Sequence, residues 1–389
     1  MSVDDIQIIE VKTRKDLKRF VRFQNWLYKG NKFFVPALEL DELKLFSPKN
    51  PSWNEVDLKA FLAIRKGQVV GRIAAIVHKT YNELHNCKNV RFTRFDLIDD
   101  CHVAHELLDA VRNFAREKGM EVIHGPLGFN DLDKEGVLIE GFDKIGTFAN
   151  FYNYAYYKSH LEDAGFEKEI DWLEFTAETP DELDPRFIQI AERMKERLNL
   201  TVVSPKMSKS KVIKRYGKEI FDVLNENYAG LHGVIPISDA VRDDILKQFK
   251  TIIRREHVHI VVDKNDKVVG FGLTAPNISR SLNASGGRLL NFGFLPINAL
   301  RIKFESMRPK YADMCLVAIR PGHRGKGVNA ILVCETFKSM IKAKIKIVET
   351  NLQLETNIAI QAEFEPFNKK LIKKRRCYKL TLQSPPEVV

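Results

Sequence analysis

The sequence predicts an α/β protein in which one unit of mixed-sheet structure is written twice. The first observation is a β-hairpin that recurs half a chain apart: residues 60–77 read AFLAIRKGQVVGRIAAIV and residues 258–275 read VHIVVDKNDKVVGFGLTA. Each has two apolar strands around a tight polar turn, with Gly71 and Gly270 in equivalent positions. The second observation is that the same kinds of element surround both hairpins. The order β-α-β-β-β-α-β in duplicate predicts two α/β domains.

The elements around the two hairpins correspond one to one. In each half a strand and a helix precede the hairpin, and a strand and an amphipathic helix follow it. The predicted segments are 6–12, 14–28, 91–98 and 102–118 in the first half, and 201–206, 218–228, 314–319 and 328–343 in the second. Residues 178–186 are rich in proline and charge, and a helix predicted over 185–198 follows them. We therefore expect domains at 1–178 and 179–389, each long enough for its own core.

The composition is that of a folded protein without membrane-spanning helices. Apolar residues make up 44% of the chain and charged residues 29%, which argues against disorder. No apolar run approaches the ~20 residues of a membrane-spanning helix, and the first residues do not resemble a signal peptide. Five scattered cysteines without a CxxC pair argue against a disulfide framework. These features predict a cytoplasmic protein, and they leave its oligomeric state open.

The net charge of +11 is concentrated in a few places. Residues 369–379, KKLIKKRRCYK, hold seven cations and no acid, and a looser basic stretch runs over 206–218. Such runs are commonly solvated faces of a fold. The functional alternative is a polyanionic partner, either the phosphates of a cofactor, an acidic membrane surface or tRNA.

The strongest chemical signal is a glycine-rich turn between a strand and a helix in the second half. After the strand predicted over 314–319 the chain reads RPGHRGKGVN, and Arg324-Gly325-Lys326-Gly327 opens the next helix. Glycine exposes successive backbone N–H groups without a Cβ in the way. Those donors and the positive end of the helix dipole make an anion site suited to a pyrophosphate. The alternative interpretation is a plain strand-to-helix turn.

Two common phosphate loops do not fit this turn, because Val328 follows Gly327 where the Walker pattern needs Ser or Thr, and the Rossmann spacing is absent. The turn resembles the acyl-CoA loop of the GCN5-related N-acetyltransferase (GNAT) superfamily, Arg/Gln-x-x-Gly-x-Gly/Ala. Arg324 and Gly327 match that pattern, and Asn329 stands in place of the last Gly or Ala. Asn is among the residues that best tolerate unusual backbone geometry.

The resemblance covers nearly the whole chain, which is similar to a bacterial family of two-domain N-acetyltransferase-like proteins. The stretches that carry it are GRIAA at 71–75, GPL at 125–127, EGVLIEGFD at 135–143, YY at 156–157 with GF at 165–166, GRLLNFG at 287–293, ETN at 355–357 and KKRRCYKL at 373–380. It implies two tandem GNAT-like domains and an N-acyltransferase that uses acetyl-CoA or another acyl-CoA as co-substrate. It supplies no acceptor beyond a small-molecule or peptide amine.

The resemblance also implies which residues bind the cofactor. They are Val317, Ile319, Arg324, Gly325, Lys326, Gly327, Val328 and Asn329. The corresponding join in the first half reads LIDDCH over 97–102, and it has no glycine. Its carboxylates Asp99 and Asp100 suit a helix cap but would repel a pyrophosphate. We therefore expect the first domain to lack a CoA site.

Acyl transfer to an amine needs a base for the ammonium proton and donors for the tetrahedral oxyanion. The resemblance places the acceptor cleft beside 314–319 and a strand predicted over 347–355. Alternation along that second strand puts Glu349, Asn351, Gln353 and Glu355 on one face, which is either a cleft wall or an exposed strand end. Glu349 or Glu355 is the expected base.

Two further residues have both a functional and a structural interpretation. Asn357 either contacts the substrate or caps a helix predicted over 358–363. Tyr378 either protonates the leaving thiolate or packs in a terminal strand. An insert at 277–311 has no counterpart in the first half and could form a lid over the acceptor. Cys101, His102 and His105 have ligand-like spacing, but no neighbouring residues complete a site, so no metal is expected.

Three functions remain open on these grounds. The first is an acyl-CoA-dependent N-acyltransferase with its cleft in the second domain. The second is an aminoacyl-tRNA-dependent transferase, in which 369–379 would follow an RNA backbone. The third is a non-catalytic CoA sensor or scaffold.

Overall fold

The computed structural model describes residues 5–290 and 295–383, with all their side chains except those of 249–252. The first half forms seven strands and five helices in the described residues. The strands are β1 (Gln7–Glu10), β2 (Val56–Arg65), β3 (Gln68–His78), β4 (Asn89–Leu97), β5 (Val122–Gly125), β6 (Val137–Glu140) and β7 (Glu167–Glu178). The helices are α1 (Arg14–Leu27), α2 (Glu39–Leu45), α3 (Lys79–His85), α4 (Cys101–Glu117) and α5 (Tyr156–Asp163).

The described part of the second half repeats most of this order, with an additional helix before its first strand and two helices instead of one between its third and fourth strands. The strands are β8 (Thr201–Val202), β9 (Val258–Val262), β10 (Val268–Pro276), β11 (Tyr311–Ile319), β12 (Ile347–Thr350), β13 (Gln353–Leu354) and β14 (Lys370–Thr381). The helices are α6 (Pro185–Leu198), α7 (Lys209–Tyr228), α8 (Asp239–Ile252), α9 (Ser279–Ser285), α10 (Ile297–Met307), α11 (Val328–Lys342) and α12 (Ile358–Ala362).

The two predicted hairpins are confirmed as β2–β3 and β9–β10, and α4, α6 and α11 lie close to their predicted bounds. Helix α7 begins at Lys209 and not at 218, because the Ser208 side chain caps it by accepting the Lys211 N–H. The strand predicted over 201–206 is only Thr201–Val202. Pro205 has no N–H to continue the ladder.

The prediction of one continuous strand over 347–355 is wrong. The chain forms β12, breaks at Asn351 and Leu352, and resumes as β13. The Asn351 N–H donates to the Met314 carbonyl at 3.1 Å, and β13 pairs with β7. Side-chain alternation therefore does not cross the break, and the face predicted to hold Glu349 and Glu355 together does not form.

All the strands join one sheet, in which the two halves exchange their last strands. The main path of the sheet runs β1-β2-β3-β4-β5-β14-β7-β12-β11-β10-β9-β8. Strand β14, from the end of the chain, pairs with β5 of the first half, and β7 of the first half pairs with β12 of the second. The exchanged strands pair with each other over most of their length. Each half therefore completes the sheet of the other.

Strand exchange corrects the interpretation of the basic run, because its central cations are paired within the sheet and are not solvated. Residues 370–379 lie inside the sheet, opposite the acidic strand β7. The buried Lys373 and Arg375 both contact Glu174, and Arg376 contacts Asp171. Because its central cations are already paired, this strand offers no free track for a phosphate backbone.

A β-bulge splits the sheet in each half. In the second half, β10 and β11 shift register between Leu273 and Thr274, which leaves Cys315 without an opposing residue. The parallel ladder between β11 and β12 ends at the pair Met314 and Thr350, directly before this bulge. Beyond that point β11 continues to Ile319 without β12 beside it. We call this separation of β11 from β12 the split, and it positions the candidate site.

Helices cover both faces of the sheet. In the first half, α4 packs on one face and α1 on the other, because alternate residues of β2 and β3 point to opposite sides. In the second half, α11 and α6 cover one face, whereas α7 and α8 cover the other. Helix α11 begins at the open end of the split.

Candidate active site

The glycine-rich turn leads into α11 with an uncapped helix start. Gly325 and Gly327 have φ angles of +70° and +93°, which favour glycine, and no side chain caps the first turn of α11. The N–H groups of that turn have no acceptor within the helix. In the first half, by contrast, the Asp100 carboxylate accepts from the N–H groups of His102 and Val103 at the start of α4. Only the second half thus presents free donors to an anion here, in the described residues.

Two contacts hold the turn in place. The Arg324 guanidinium donates to the side chain of Asn227 at 2.7 Å, and Arg197 of α6 donates to the Lys326 carbonyl at 3.1 Å. A Cβ at Gly327 would lie 2.8 Å from the Met194 sulfur, so α6 passes close to the backbone at this point. Of the other predicted cofactor contacts, Val328 is buried, and Asn329 donates to the Glu363 carboxylate at 3.1 Å.

The free edge of β11 carries backbone groups into the split. The Val317 carbonyl accepts from the Tyr228 hydroxyl at 3.3 Å, and the Ile319 carbonyl accepts from Asn227 at 2.6 Å. These carbonyls therefore point to the side opposite β10, and the N–H groups of the same residues share that direction. Val317 and Ile319 lie at the edge where the sequence predicted cofactor contacts, with α7 above them.

A pair of carboxylates lies at the closed end of the split. Asp313 and Glu349 are opposite each other in the parallel ladder between β11 and β12, one pair before it ends. Asn277 donates to Asp313 Oδ1 at 2.7 Å, while Asp313 Oδ2 is buried without a partner in the described residues. The Lys373 ammonium contacts Glu349. Of the two carboxylates, Asp313 is the one with a fully buried oxygen that lacks a hydrogen-bond partner in the described residues.

Burial and the neighbouring charge of Glu349 raise the pKa of Asp313 to about 8. A carboxylate with a pKa near neutrality can accept a proton and release it again. Burial also raises the pKa of Glu349, which Lys373 partly opposes. Asp313 therefore has the electrostatic character expected of a general base.

Further buried charged side chains hold this carboxylate pair in position. Lys373 lies 3.6 Å from Glu174 and reaches Glu349 from the exchanged strand β14. Glu174 also binds the Arg375 guanidinium and accepts from Asn150 at 3.1 Å. Breaking one partner of such a network leaves an uncompensated buried charge, which is strongly destabilising. The strand exchange thus supports the candidate site directly.

The structure places the other predicted catalytic residues elsewhere. Glu355 accepts from Lys168 at 2.9 Å and from the Asp171 N–H at 3.1 Å. The Asn357 side chain caps α12 by accepting the Ile360 N–H. Tyr378 packs in the core of the first half, and its hydroxyl donates to Glu162 at 3.2 Å. Of the four predicted residues, only Glu349 lies beside the split.

Sequence reasoning missed three residues of this site. Asp313 interrupts the otherwise apolar strand YADMCLVAI, and a carboxylate in such a strand is itself a signal. Tyr228 is the last residue of α7, and Asn277 is the first residue after β10. Neither of these two residues stands out locally, because their role depends on helix and loop positions that only the fold supplies.

Solved structures that superpose on this chain include GCN5-related N-acetyltransferases. A tandem GNAT protein from the clavulanic acid biosynthesis pathway superposes with a TM-score of 0.55 at 11% identity, and the match covers 98% of this chain and 100% of that one. A GCN5-related N-acetyltransferase from Sphaerobacter thermophilus gives 0.51 at 10% identity, with 98% of both chains covered. The chain has a tandem GNAT fold. This confirms the predicted fold class and the two-domain resemblance.

Two curated proteins are related to this tandem GNAT chain in sequence. Protein YghO of Escherichia coli K12 is 24% identical over 373 residues, which are 94% of this chain and 93% of YghO. A bacterial ceramide synthase of Caulobacter vibrioides is 25% identical over 309 residues, which are 78% of each chain. No protein-family model matches the chain. Within the described residues, no helix has the length and apolar character that crossing a membrane requires.

Proposed function

We propose that the chain is an acyl-CoA-dependent N-acyltransferase whose acceptor is the primary amine of a long-chain lipid. The observation that carries the proposal is the uncapped, glycine-rich start of α11, open to the same split that ends at Asp313. An acyl-CoA would set its pyrophosphate on Arg324–Asn329 and extend its pantetheine arm along the strand edge of Val317 and Ile319, whose carbonyls also accept from Tyr228 and Asn227. Its thioester would then reach the bulge at Cys315.

The proposed chemistry is direct attack of the amine on the thioester. Asp313 takes the proton that the ammonium must lose, and the amine nitrogen then bonds to the carbonyl carbon. As the tetrahedral intermediate collapses, the carbon–sulfur bond breaks and CoA leaves as a thiolate. The nitrogen gives up its second proton to the leaving thiolate, either directly or through the Tyr228 hydroxyl, which donates to the Val317 carbonyl at the split. The products are an amide and free CoA.

The similarity to a bacterial ceramide synthase supports a long-chain acceptor, because a ceramide is the N-acyl derivative of a long-chain amino alcohol. The insert that begins at Asn277, beside Asp313, supports it independently. Seven of the thirteen exposed large hydrophobic side chains in the described residues lie between 290 and 311. They are Leu290, Leu295, Ile297, Leu300, Phe304, Met307 and Tyr311.

Helix α10 gives this insert the character of a membrane-surface helix. Ile297, Leu300, Phe304 and Met307 are spaced so that they share one face of the helix, and all four are exposed. Exposed cations accompany this apolar face, as expected for a helix that lies on an anionic bilayer. They are Arg301, Lys303, Arg308 and Lys310. We infer that the insert rests on the membrane surface and that the lipid acceptor enters from there.

An acceptor screen tests the proposed reaction. Purified protein is incubated with acetyl-CoA or long-chain acyl-CoAs and with sphinganine, short alkyl amines or peptides, and the amide and the released thiol are measured. We expect amide formation with the long-chain amino alcohol and little with short amines. Tight acyl-CoA binding without turnover of any amine would instead support the sensor function, and transfer to a peptide or small amine would overturn the lipid acceptor.

Vesicle binding tests the role of α10. We expect the protein to co-sediment with vesicles of phosphatidylglycerol and phosphatidylcholine, less with phosphatidylcholine alone, and less in high salt. The double variant Leu300→Glu/Phe304→Glu should lose vesicle binding but retain acyl-CoA binding. Leu40→Glu is the matched control, because Leu40 and Phe304 are both 68% exposed and Leu40 lies on α2. If wild-type protein ignores anionic vesicles but self-associates through this face, the insert is a protein interface.

A further inference from the structure

A second group of ligand-forming side chains lies at the junction of the two halves, outside the proposed acylation site. His124 lies in β5, Glu169 in β7, and His232 in the loop between α7 and α8. His124 Nδ1 and His232 Nε2 approach the same carboxylate oxygen, Glu169 Oε2, at 3.4 and 3.3 Å. The three potential ligand atoms all lie within 4.8 Å of one another.

The two histidines lie at ion-pair distance from this carboxylate but make no hydrogen bond of ordinary length to it. Both separations exceed the 2.7–3.2 Å range of ordinary N–H···O bonds. Both ring nitrogens of His124, and Nε2 of His232, lack a hydrogen-bond partner in the described residues. The His124 side chain is fully buried. A buried imidazole without a hydrogen-bond partner is unfavourable, so a partner is expected that the protein itself does not provide.

The same separations suit a metal ion. Zinc–nitrogen and zinc–oxygen bonds of about 2.0–2.1 Å in a tetrahedral shell put neighbouring ligand atoms roughly 3.3 Å apart. The geometry points to a divalent transition-metal site formed by His124, Glu169 and His232. Two imidazoles and one carboxylate form a ligand set that Zn²⁺ accepts, with a fourth position left for water or another ligand.

The backbone around these residues is arranged to bring them together. The β7–β14 ladder pairs Cys377 with Ile170 and Tyr378 with Lys168, so Glu169 is skipped. Such a bulge re-aims the side chain of the extra residue. The loop that carries His232 is held by Arg91, whose guanidinium donates to the Gly233 carbonyl at 2.6 Å. The Cys377 thiol lies 3.2 Å from Glu169 Oε2 and is the nearest further sulfur ligand in the described residues.

The ion would join residues from both sides of the 178–179 boundary. His124 and Glu169 precede that boundary and His232 follows it, so coordination ties the α7–α8 loop of one half to the sheet of the other. Such an ion contributes its binding free energy to folding. This inference does not depend on the proposed acylation.

Metal analysis of untagged full-length protein tests this inference. We expect about one equivalent of bound zinc per chain, and a visible absorption spectrum of tetrahedral type when Co²⁺ replaces it. His232→Ala should lower the bound metal to less than about a tenth of an equivalent and should abolish the rise in Tm that added Zn²⁺ gives. His232 is the best position to change, because it is partly exposed and the variant should fold.

His105→Ala is the control, because His105 is an exposed histidine of α4 and its loss should leave the bound metal unchanged. Glu169→Gln keeps the shape of the side chain but removes its charge, so it should weaken metal binding as well. The inference is overturned if wild-type protein holds no metal as purified and shows no Tm shift with Zn²⁺, Co²⁺, Mn²⁺ or Fe²⁺. It is also overturned if His232→Ala binds metal as the wild type does.

Discussion

Gly325→Glu is expected to abolish acyl-CoA binding. The variant places a carboxylate in the turn where the pyrophosphate would sit. Two like unit charges 4 Å apart repel by about 4 kcal/mol at an effective dielectric constant of 20, which corresponds to roughly a 1,000-fold loss of affinity. Solvent screening reduces this value, so we expect affinity to fall by at least roughly 100-fold. Isothermal titration calorimetry with acetyl-CoA and longer acyl-CoAs measures the change.

Gly119→Glu is a close control for this variant. Gly119 has a φ of +66° and Gly325 one of +70°, and a Cβ at either residue would have no atom within 4 Å. Both variants therefore add the same charge and the same backbone strain, but Gly119 follows α4 in the first half. Equal loss of affinity in the two variants would mean that strain, and not the phosphate turn, explains the effect. Full affinity in Gly325→Glu would remove the turn from the cofactor site.

Features of the fold that depend on local sequence could be predicted, whereas the pairing of distant strands could not. The hairpins and α4 follow from periodicity and turn chemistry within short windows. The position of 370–381 follows from charges far away in the sequence: Lys373 and Arg375 meet Glu174, and Arg376 meets Asp171. A strand rich in cations is predicted to be exposed to solvent unless its acidic partner strand is known. For this reason the sequence alone suggests a solvated face for residues 369–379.

The same distinction applies to the sites. The turn at Arg324–Gly327 is visible in sequence because its chemistry is contained in consecutive residues. The carboxylate pair required the register of β11 against β12, which sets Asp313 opposite Glu349. The histidine cluster depends on three segments that are far apart in the sequence, β5, β7 and the loop after α7. Close spacing of ligand-forming residues, as at His102 and His105, gives no indication of such a cluster.

Asp313→Asn is expected to remove most of the acyl transfer activity and to change its pH dependence. If Asp313 is the base, its ionised form is required, so kcat/KM of the wild type should rise with pH and level off above about 8. General-base catalysis contributes roughly 100- to 10,000-fold, and the variant should lose activity in that range together with the rising limb. The substitution keeps the shape of the side chain, and its amide oxygen can still accept from Asn277. Glu167→Gln, at an exposed carboxylate of β7, is the control.

Stability provides a second readout that does not depend on substrate. Because burial raises the pKa of Asp313 in the folded state, this group stabilises the fold fully at pH values below its unfolded pKa, and the contribution is lost as pH rises through about 8. The Tm of the wild type should therefore fall between pH 5 and pH 9 by more than that of Asp313→Asn, which cannot ionise. Loss of activity without this difference in Tm would mean that the carboxyl is already ionised at neutral pH. An unchanged pH profile in Asp313→Asn would exclude Asp313 as the base and return that role to Glu349.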